Sequence, residues 1–192
     1  MSTAIAIGYK VMHYANMDNI AGVILAGGKS SRMGTDKAQI FYRGKPLLEH
    51  MQSLLESAGV GNIYISGQNR IDDIVPNCGP LGGIYSVLRE IKEPEMIIIP
   101  VDMPLLSVEL LVKLIDADYD DAAIYKEHNM PLKLRASDQL KYNLKRRLQS
   151  SKNPLSISSL LEELNVTDLS LPRKDKQNFI NVNTPKELEK IA

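Results

Sequence analysis

The sequence predicts an α/β fold of three layers, in which a mostly parallel central sheet lies between two layers of helices. Residues 21–25 and 96–99 are short apolar runs without charges, as expected of strands that are buried on both faces. Elsewhere, as at residues 47–58, apolar side chains recur every three or four positions, which indicates amphipathic helices. Buried strands that alternate with helices pair in parallel, with right-handed crossovers.

The elements of the first half have recognisable ends. Pro46 is expected at the first position of a helix, and Gly59 stands where a helix C-terminus is expected. The predicted elements, in order, are a strand at 21–25, a turn at 43–46, a helix at 47–58, a strand at 63–65, a loop at 79–83 and the helix behind it.

The second half is less regular. Ser107 is expected to cap one helix, and Thr184 with Pro185 the last one, with Glu187 in the first turn. The other predicted elements are strands at 96–99, 122–125, 130–134 and 179–183, and helices at 138–148 and 155–164, the latter starting at Asn153 and Pro154.

The composition excludes several classes of protein. The 192 residues include 23 basic and 23 acidic side chains, so no overall charge favours nucleic acid or a membrane surface as a partner. The one cysteine, Cys78, forms no intrachain disulfide and is typical of a reducing compartment. No apolar run approaches the roughly 20 residues that span a bilayer. We therefore expect a cytoplasmic protein.

The N-terminal segment differs from the rest of the chain. We expect residues 1–19 to be a poorly ordered extension and residues 20–192 to be a single domain. The apolar residues 4–7 have no basic segment before them, so no signal peptide is predicted. Met17 is a second candidate for the native start, and a short extra strand or arm is the alternative for this segment.

A glycine-rich, basic loop follows the first strand. Gly27, Gly28 and Gly34 allow a close approach of the backbone to a ligand, and Arg32 and Lys37 supply positive charge. Such a loop after a buried strand is typical of a phosphate site. We expect Arg32 to hold the β- and γ-phosphates and Lys37 the α-phosphate of a nucleotide. The alternative is a surface turn with solvated cations.

Asp102 is the strongest candidate for a metal ligand. It follows the most apolar strand, and the carboxyl ends of parallel strands are where open α/β sheets bind ligands. Mg²⁺ prefers one or two carboxylates together with phosphate oxygens and water. We expect Asp102 to hold Mg²⁺ on the α- and β-phosphates; the alternative is a structural aspartate in a turn.

Three other features have both a functional and a structural interpretation. Residues 79–83 either recognise a base or only lead into a helix. Asn181 and Asn183 either face one cleft or are polar residues of an edge strand. The basic face of helix 138–148 is expected to face solvent, with an acceptor phosphate as the alternative. The three histidines lack metal-ligand spacing, and we assign them no role.

The motifs resemble those of the molybdenum cofactor guanylyltransferase family, over nearly the whole chain from Ile20 onward. They are LAGG at 25–28, RMG at 32–34, DK at 36–37, GKPL at 44–47, GPLGG at 79–83, DMP at 102–104 and NVNTP at 181–185. The resemblance implies a Rossmann-like nucleotidyltransferase fold with mixed strands at one edge of the sheet. It also implies transfer of GMP from Mg²⁺-GTP to the terminal phosphate of molybdopterin, with release of pyrophosphate.

The resemblance also assigns roles to residues. Asn181 and Asn183 would face the pterin side as acceptor-binding residues, and Asp102 would bind both the nucleotide and Mg²⁺. Transient contacts with cofactor-assembly proteins or recipient molybdoenzymes are implied as well. The residues that would contact the nucleotide are Leu25, Ala26, Gly27, Gly28, Gly34, Lys37, Asp73, Gly79, Pro80, Leu81, Gly82 and Asp102.

Two departures from the family pattern leave alternatives open. The segment between Arg70 and Asp72 is short, and Ser66 and Gly67 replace an expected asparagine. Both lie beside the presumed base and ribose pocket. A cytidylyltransferase or a sugar-phosphate nucleotidyltransferase with the same loop is therefore one alternative. A catalytically silent nucleotide-binding protein of cofactor assembly is the other.

Overall fold

The computed structural model of the chain describes residues 19–27, 40–67, 71, 78–150 and 155–191. The predictions for residues 1–18, for the connecting chain at 72–77 and for Asn153 and Pro154 fall outside these ranges. So do five of the predicted site residues, which are Gly28, Arg32, Gly34, Lys37 and Asp73.

A six-stranded sheet forms the centre of the described part of the chain. Its strands, in the order in which they lie side by side, are β4 (Asn62–Ser66), β1 (Ile20–Leu25), β5 (Glu95–Pro100), β7 (His128–Arg135), β6 (Ala122–Tyr125) and β8 (Val166–Leu169). The pairs β4–β1, β1–β5 and β6–β8 are parallel, and β7 is antiparallel to both of its neighbours. The prediction of a mostly parallel sheet is confirmed. The short strands β2 (Phe41–Tyr42) and β3 (Lys45–Pro46) form a separate hairpin.

Helices cover both faces of this sheet. They are α1 (Leu47–Ser57), α2 (Gly79–Glu90), α3 (Val108–Ile115), α4 (Asp138–Leu148), α5 (Ile157–Leu161) and α6 (Pro185–Glu189), with a 3₁₀ helix at Arg173–Phe179. Successive residues of β1 point to opposite faces. Ile20 and Ile24 pack in the apolar cluster with α1 and α3, whereas Ala21 and Val23 pack with α2, α4 and α5. Two cores on the two faces of one sheet confirm the three-layer prediction.

The predicted helix ends agree well with the structure. The hydroxyl of Ser107 accepts a hydrogen bond from Leu110 N, and that of Thr184 accepts one from Glu187 N. Gly59 follows α1 with a φ of 91°, which favours glycine. Pro46 is the N-cap of α1 rather than its first residue.

Three further expectations about the elements are wrong, and one strand was not predicted. The predicted strand 179–183 is absent, because Phe179 ends the 3₁₀ helix and Val182 N donates to Asp102 O in a loop instead of to a neighbouring strand. Residues 79–83 are the first turns of α2 and not a loop. Strand β8 was not predicted, and α5 is shorter than expected because Ser156, whose hydroxyl accepts from Ser159 N, caps it.

The basic face of α4 also needs correction. Lys141, Lys145 and Arg146 are at least partly exposed, as expected, but Arg147 is buried. Its guanidinium donates to the hydroxyl and carbonyl of Ser159 and forms an ion pair with Glu163 at 2.7 Å. Arg147 therefore joins α4 to α5 and is not part of a solvent-facing surface.

Candidate active site

The carboxyl ends of β1, β4 and β5 lie at one level of the sheet. Leu25 is paired with Ser66 on one side and with Pro100 on the other. Beyond these pairs, Ala26 N donates to Ser66 O at 2.9 Å, and Val101 N donates to Leu25 O at 3.1 Å. The start of the glycine-rich loop and the start of the Asp102 loop are thus neighbours, as the sequence predicted.

The chain leaves β1 and β4 through two glycines that nearly touch. Gly67 has a φ of 141°, and a Cβ atom on it would lie 3.0 Å from Gly27 N. Gly27 itself is exposed. Glycine is therefore needed here for the close approach of two segments of this chain, in addition to any approach of a ligand.

The N-terminus of α2 packs against the end of β4. Gly79 begins the helix with a φ of 59°, and the side chain of Ser66 lies where a Cβ of Gly83 would be. Gly79 and Pro80 are exposed, but Leu81 is fully buried in the core and Gly82 is buried as well. Of the predicted base-binding residues 79–82, only the first two present a surface that a ligand can reach, along with the N–H groups of a helix start.

Asp102 is partly exposed between two buried residues. Val101 is 4% exposed and Met103 is 3% exposed, so apolar packing holds the loop on both sides of the carboxylate. The carbonyl of Asp102 accepts a hydrogen bond from Val182 N at 2.7 Å. This bond fixes the segment of the two predicted asparagines against the Asp102 loop.

Asn181 and Asn183 are both exposed, on either side of Val182, which is 1% exposed. Both asparagines are therefore on the exposed side of a loop rather than of an edge strand, and that they face one cleft stays a prediction. Asn183 N donates to the carboxylate of Glu187 at 2.7 Å, which ties this segment to the start of α6. The structure thus brings Asp102, Asn181 and Asn183 to one place.

The side chains around Asp102 indicate which kind of metal ion could bind there. Among the described residues, no three His, Cys, Asp or Glu side chains are grouped so that they could hold an ion. One partly exposed carboxylate cannot form a zinc or calcium cage, but it suits an ion that takes its other ligands from phosphate oxygens and water. The chemistry of the site therefore fits Mg²⁺ delivered with a nucleotide.

Two further side chains bind the Asp102 loop, and the sequence analysis missed both. His50 Nε2 donates to Pro104 O at 2.9 Å, and Asn178 Nδ2 donates to Leu105 O at 2.6 Å. Their partners lie 54 and 73 positions away along the chain, so no local pattern could reveal them. The pKa of His50 is lowered, mainly by burial and also by Lys45 and Arg43, against an opposing effect of the bond to Pro104.

Comparison with known proteins identifies the family. The family model of the MobA-like NTP transferase domain matches residues 22–166, from the first strand to the last strand of the sheet. The chain belongs to this family.

Named relatives and solved structures agree with this membership. A molybdenum cofactor guanylyltransferase of Xanthomonas euvesicatoria is 35% identical over 175 residues, which is 88% of this chain and 93% of that protein. A probable molybdenum cofactor guanylyltransferase of Flavobacterium johnsoniae is 29% identical, over 91% of this chain and 97% of that protein.

Among solved structures, the molybdopterin-guanine dinucleotide biosynthesis protein A of Archaeoglobus fulgidus matches with a TM-score of 0.69 and 23% identity, over 88% of this chain and 95% of that one. A 4-diphosphocytidyl-2C-methyl-D-erythritol synthase of Anaerococcus prevotii matches with a TM-score of 0.68 and 14% identity, over 91% and 96% of the two chains. At such identities, these likenesses concern the fold of the MobA-like NTP transferase domain.

Membership in the family does not by itself assign a role to any side chain. The nucleotide contacts of Leu25, Ala26 and Gly27, and the metal role of Asp102, stay predictions that the arrangement of the sheet edge makes possible. Within the described ranges, no helix is long and apolar enough to cross a bilayer.

Proposed function

We propose that the protein transfers GMP from Mg²⁺-GTP to the terminal phosphate of molybdopterin and releases pyrophosphate. The observation that carries this proposal is the meeting of Asp102 with the start of the glycine-rich loop on one side and the segment of Asn181 and Asn183 on the other. The names of the most similar relatives supply the identity of the two substrates.

The proposed reaction is a displacement at the α-phosphorus of GTP. An oxygen of the acceptor phosphate forms a bond to the α-phosphorus of GTP, while the bond from that phosphorus to the bridging oxygen breaks and pyrophosphate leaves. The acceptor phosphate is already ionised, so no general base is required. Positioning and neutralisation of charge therefore supply the rate enhancement.

Different residues of the candidate site position the substrates and neutralise charge. We assign to Gly27, Gly28 and Gly34 the backbone N–H groups that bind the phosphates, and to Arg32 and Lys37 the neutralisation of phosphate charge. Ala26, whose own N–H is bonded to Ser66 O, contacts the nucleotide beside them. Asp102 would hold Mg²⁺, and the ion would supply positive charge to offset the charge that develops on the leaving pyrophosphate. Gly79 and Pro80 lie beside the guanine, Asp73 contacts the nucleotide, and Asn181 and Asn183 orient the pterin.

The proposal also includes the substrates of the protein, its protein partners and its compartment. Its substrates are GTP and molybdopterin, and it transfers its product through transient contacts with cofactor-assembly proteins or recipient molybdoenzymes. The single cysteine is in keeping with a cytoplasmic protein.

Thermal unfolding with Mg²⁺ and each of GTP, CTP, ATP and UTP tests the nucleotide. A ligand at about 100 times its dissociation constant adds about 2.7 kcal/mol to the free energy of unfolding. We expect the melting temperature to rise with GTP and to change little with the other three. A preference for CTP would replace the proposed product by a cytosine dinucleotide.

Release of pyrophosphate tests the chemistry separately. With GTP, molybdopterin and Mg²⁺ present, we expect pyrophosphate to form in step with consumption of GTP. A rise in melting temperature with GTP but no pyrophosphate would contradict transfer and would favour a silent nucleotide-binding protein.

A further inference from the structure

The Asp102 loop, residues 101–106, is held by hydrogen bonds from three separate elements. The carbonyls of residues 102, 104 and 105 accept hydrogen bonds from Val182 N, His50 Nε2 and Asn178 Nδ2. Buried backbone groups need partners, but most loops find them within the loop or in water. Here two of the three donors are side chains from distant parts of the chain.

Apolar packing alone does not fix the orientation of this loop. Val101, Met103 and Leu106 are buried in the core with α1 and α3, which holds the loop against the sheet. Apolar contacts are not directional, so they alone do not set the orientation of the peptide planes at Pro104 and Leu105. The hydrogen bonds to the carbonyls of Pro104 and Leu105 fix these two peptide planes, which follow Asp102 in the loop.

The His50 ring is itself held in place. It lies edge-on to Tyr42, with the two ring centroids 5.0 Å apart and an angle of 79° between the ring planes. Tyr42 is 1% exposed, and its hydroxyl donates to Ile191 O. Because a carbonyl can only accept, the proton of the neutral imidazole is on Nε2. A rigid donor of this kind resembles the outer partners that orient metal ligands in other proteins.

We propose that His50 is a positioning residue for Asp102, and that its hydrogen bond to Pro104 holds the carboxylate where a metal–nucleotide complex binds. This proposal rests on the proposed function, because it takes Asp102 as the metal ligand. Asn178 also holds this loop, through its hydrogen bond to Leu105 O. His50 acts from α1, which follows the β2–β3 hairpin, so it also joins this hairpin to the Asp102 loop.

Three variants distinguish the effect of the His50 N–H donor from the effect of ring packing against Tyr42. His50→Phe keeps a ring beside Tyr42 but removes the N–H donor. His50→Gln removes the ring but places an amide N–H at a similar reach. Ser57→Ala, on the exposed face of the same helix, removes a hydroxyl that donates to Ser53 O and serves as the matched control.

The measurement is the affinity of the full chain for α,β-methylene-GTP, by titration calorimetry, with Mg²⁺ and with EDTA. The ratio of the two affinities reports the metal contribution without any turnover. We expect His50→Phe to lower this ratio about ten-fold while the affinity in EDTA stays at the wild-type value. His50→Gln restores the ratio, and Ser57→Ala leaves it unchanged. A purely structural role would weaken both affinities or lower only the melting temperature.

The outcomes distinguish the two proposals. A wild-type ratio in His50→Phe, or an equal loss in His50→Gln, overturns the positioning role alone. If Mg²⁺ gives the wild-type protein no gain, and Asp102→Asn behaves as the wild type, the metal role of Asp102 is wrong and the role of His50 is overturned with it.

Discussion

Asp102 shows how the backbone of a residue can be fixed while its side chain stays partly exposed. Its neighbours Val101 and Met103 are in the core, its carbonyl is bonded to Val182 N, and its side chain is partly exposed. Packing and hydrogen bonds therefore hold the backbone of this loop, while the carboxylate stays accessible to a ligand.

Replacement of this carboxylate tests its role. We expect Asp102→Asn to lower the rate of GMP transfer at least about 100-fold, because a charge that stabilises the leaving group is no longer held. The melting temperature should stay close to the wild-type value, since an isosteric change at a partly exposed site costs about 0.5 kcal/mol or less. Pyrophosphate release and thermal unfolding of the same preparation measure both quantities. A variant that retains full activity would exclude the metal role.

Two histidines predict a pH dependence of stability. Burial lowers the pKa of both His50 and His128 below the ordinary value of about 6.5. Below that pH, the unfolded chain therefore binds more protons than the folded one. The contribution of each histidine is complete above about pH 6.5 and is lost as the pH falls towards the folded-state pKa.

Urea unfolding between pH 7.5 and 5.5 measures this effect. We expect the free energy of unfolding to fall with pH, and His50→Gln to fall less steeply than the wild type. The sign is opposite to that of a histidine stabilised by an acidic partner. An unchanged slope in His50→Gln would mean that the ring is not protonated more easily in the unfolded chain.

At the scale of elements, the packing of α2 on β4 decides where the candidate base site lies. The helix comes close because Gly83 has no side chain where Ser66 lies, and the exposed Gly79 and Pro80 are brought beside the end of β4. This contact explains the second half of the GPLGG motif through packing, whereas its first half stays available to a ligand.

A double-mutant cycle tests that contact. We expect Gly83→Ala to destabilise the protein by about 1–3 kcal/mol, because the new methyl group overlaps the Ser66 hydroxyl. Ser66→Ala removes the nearest atom, so the double variant should recover part of the loss. Chemical denaturation of the four proteins gives the coupling free energy. Simple additivity of the two changes would contradict the close contact.

The elements that the sequence predicted well are those with an uninterrupted local pattern. β5 contains a continuous apolar run, α4 has a clear apolar periodicity, and the bounds of α4 agree with the prediction. β8 was missed because its four residues, VTDL, form neither a continuous apolar run nor a regular alternation, and only the pairing with β6 makes them a strand. Residues 180–183 have strand-like alternation, but their partner is a loop.

Local sequence patterns predict individual side-chain contacts no better than they predict β8. The predicted residues of the candidate site follow strand ends, and strand order alone brings Asp102 near Ala26. His50, Asn178 and the buried Lys133, which donates to Ile115 O, depend on contacts between elements that no local spacing encodes. The sequence could therefore indicate candidate substrate-binding residues, but not the side chains that hold their loops in place.

At the scale of the whole molecule, the site lies where the parallel part of the sheet ends and three segments converge. The chain after β1, the Asp102 loop after β5 and the segment before α6 come from distant parts of the sequence. A nucleotide on the first two and an acceptor on the third would meet at Asp102, which is the arrangement that a transfer between two phosphates requires.

The fate of the α-phosphate tests this account most directly. The protein is incubated with molybdopterin, Mg²⁺ and GTP that carries a radioactive label at either the α- or the γ-phosphate. We predict that the α-label appears in a pterin dinucleotide and the γ-label in pyrophosphate, in equal amounts. An α-label that stays in GTP, or leaves as free GMP with no labelled pterin, would contradict the transfer of GMP.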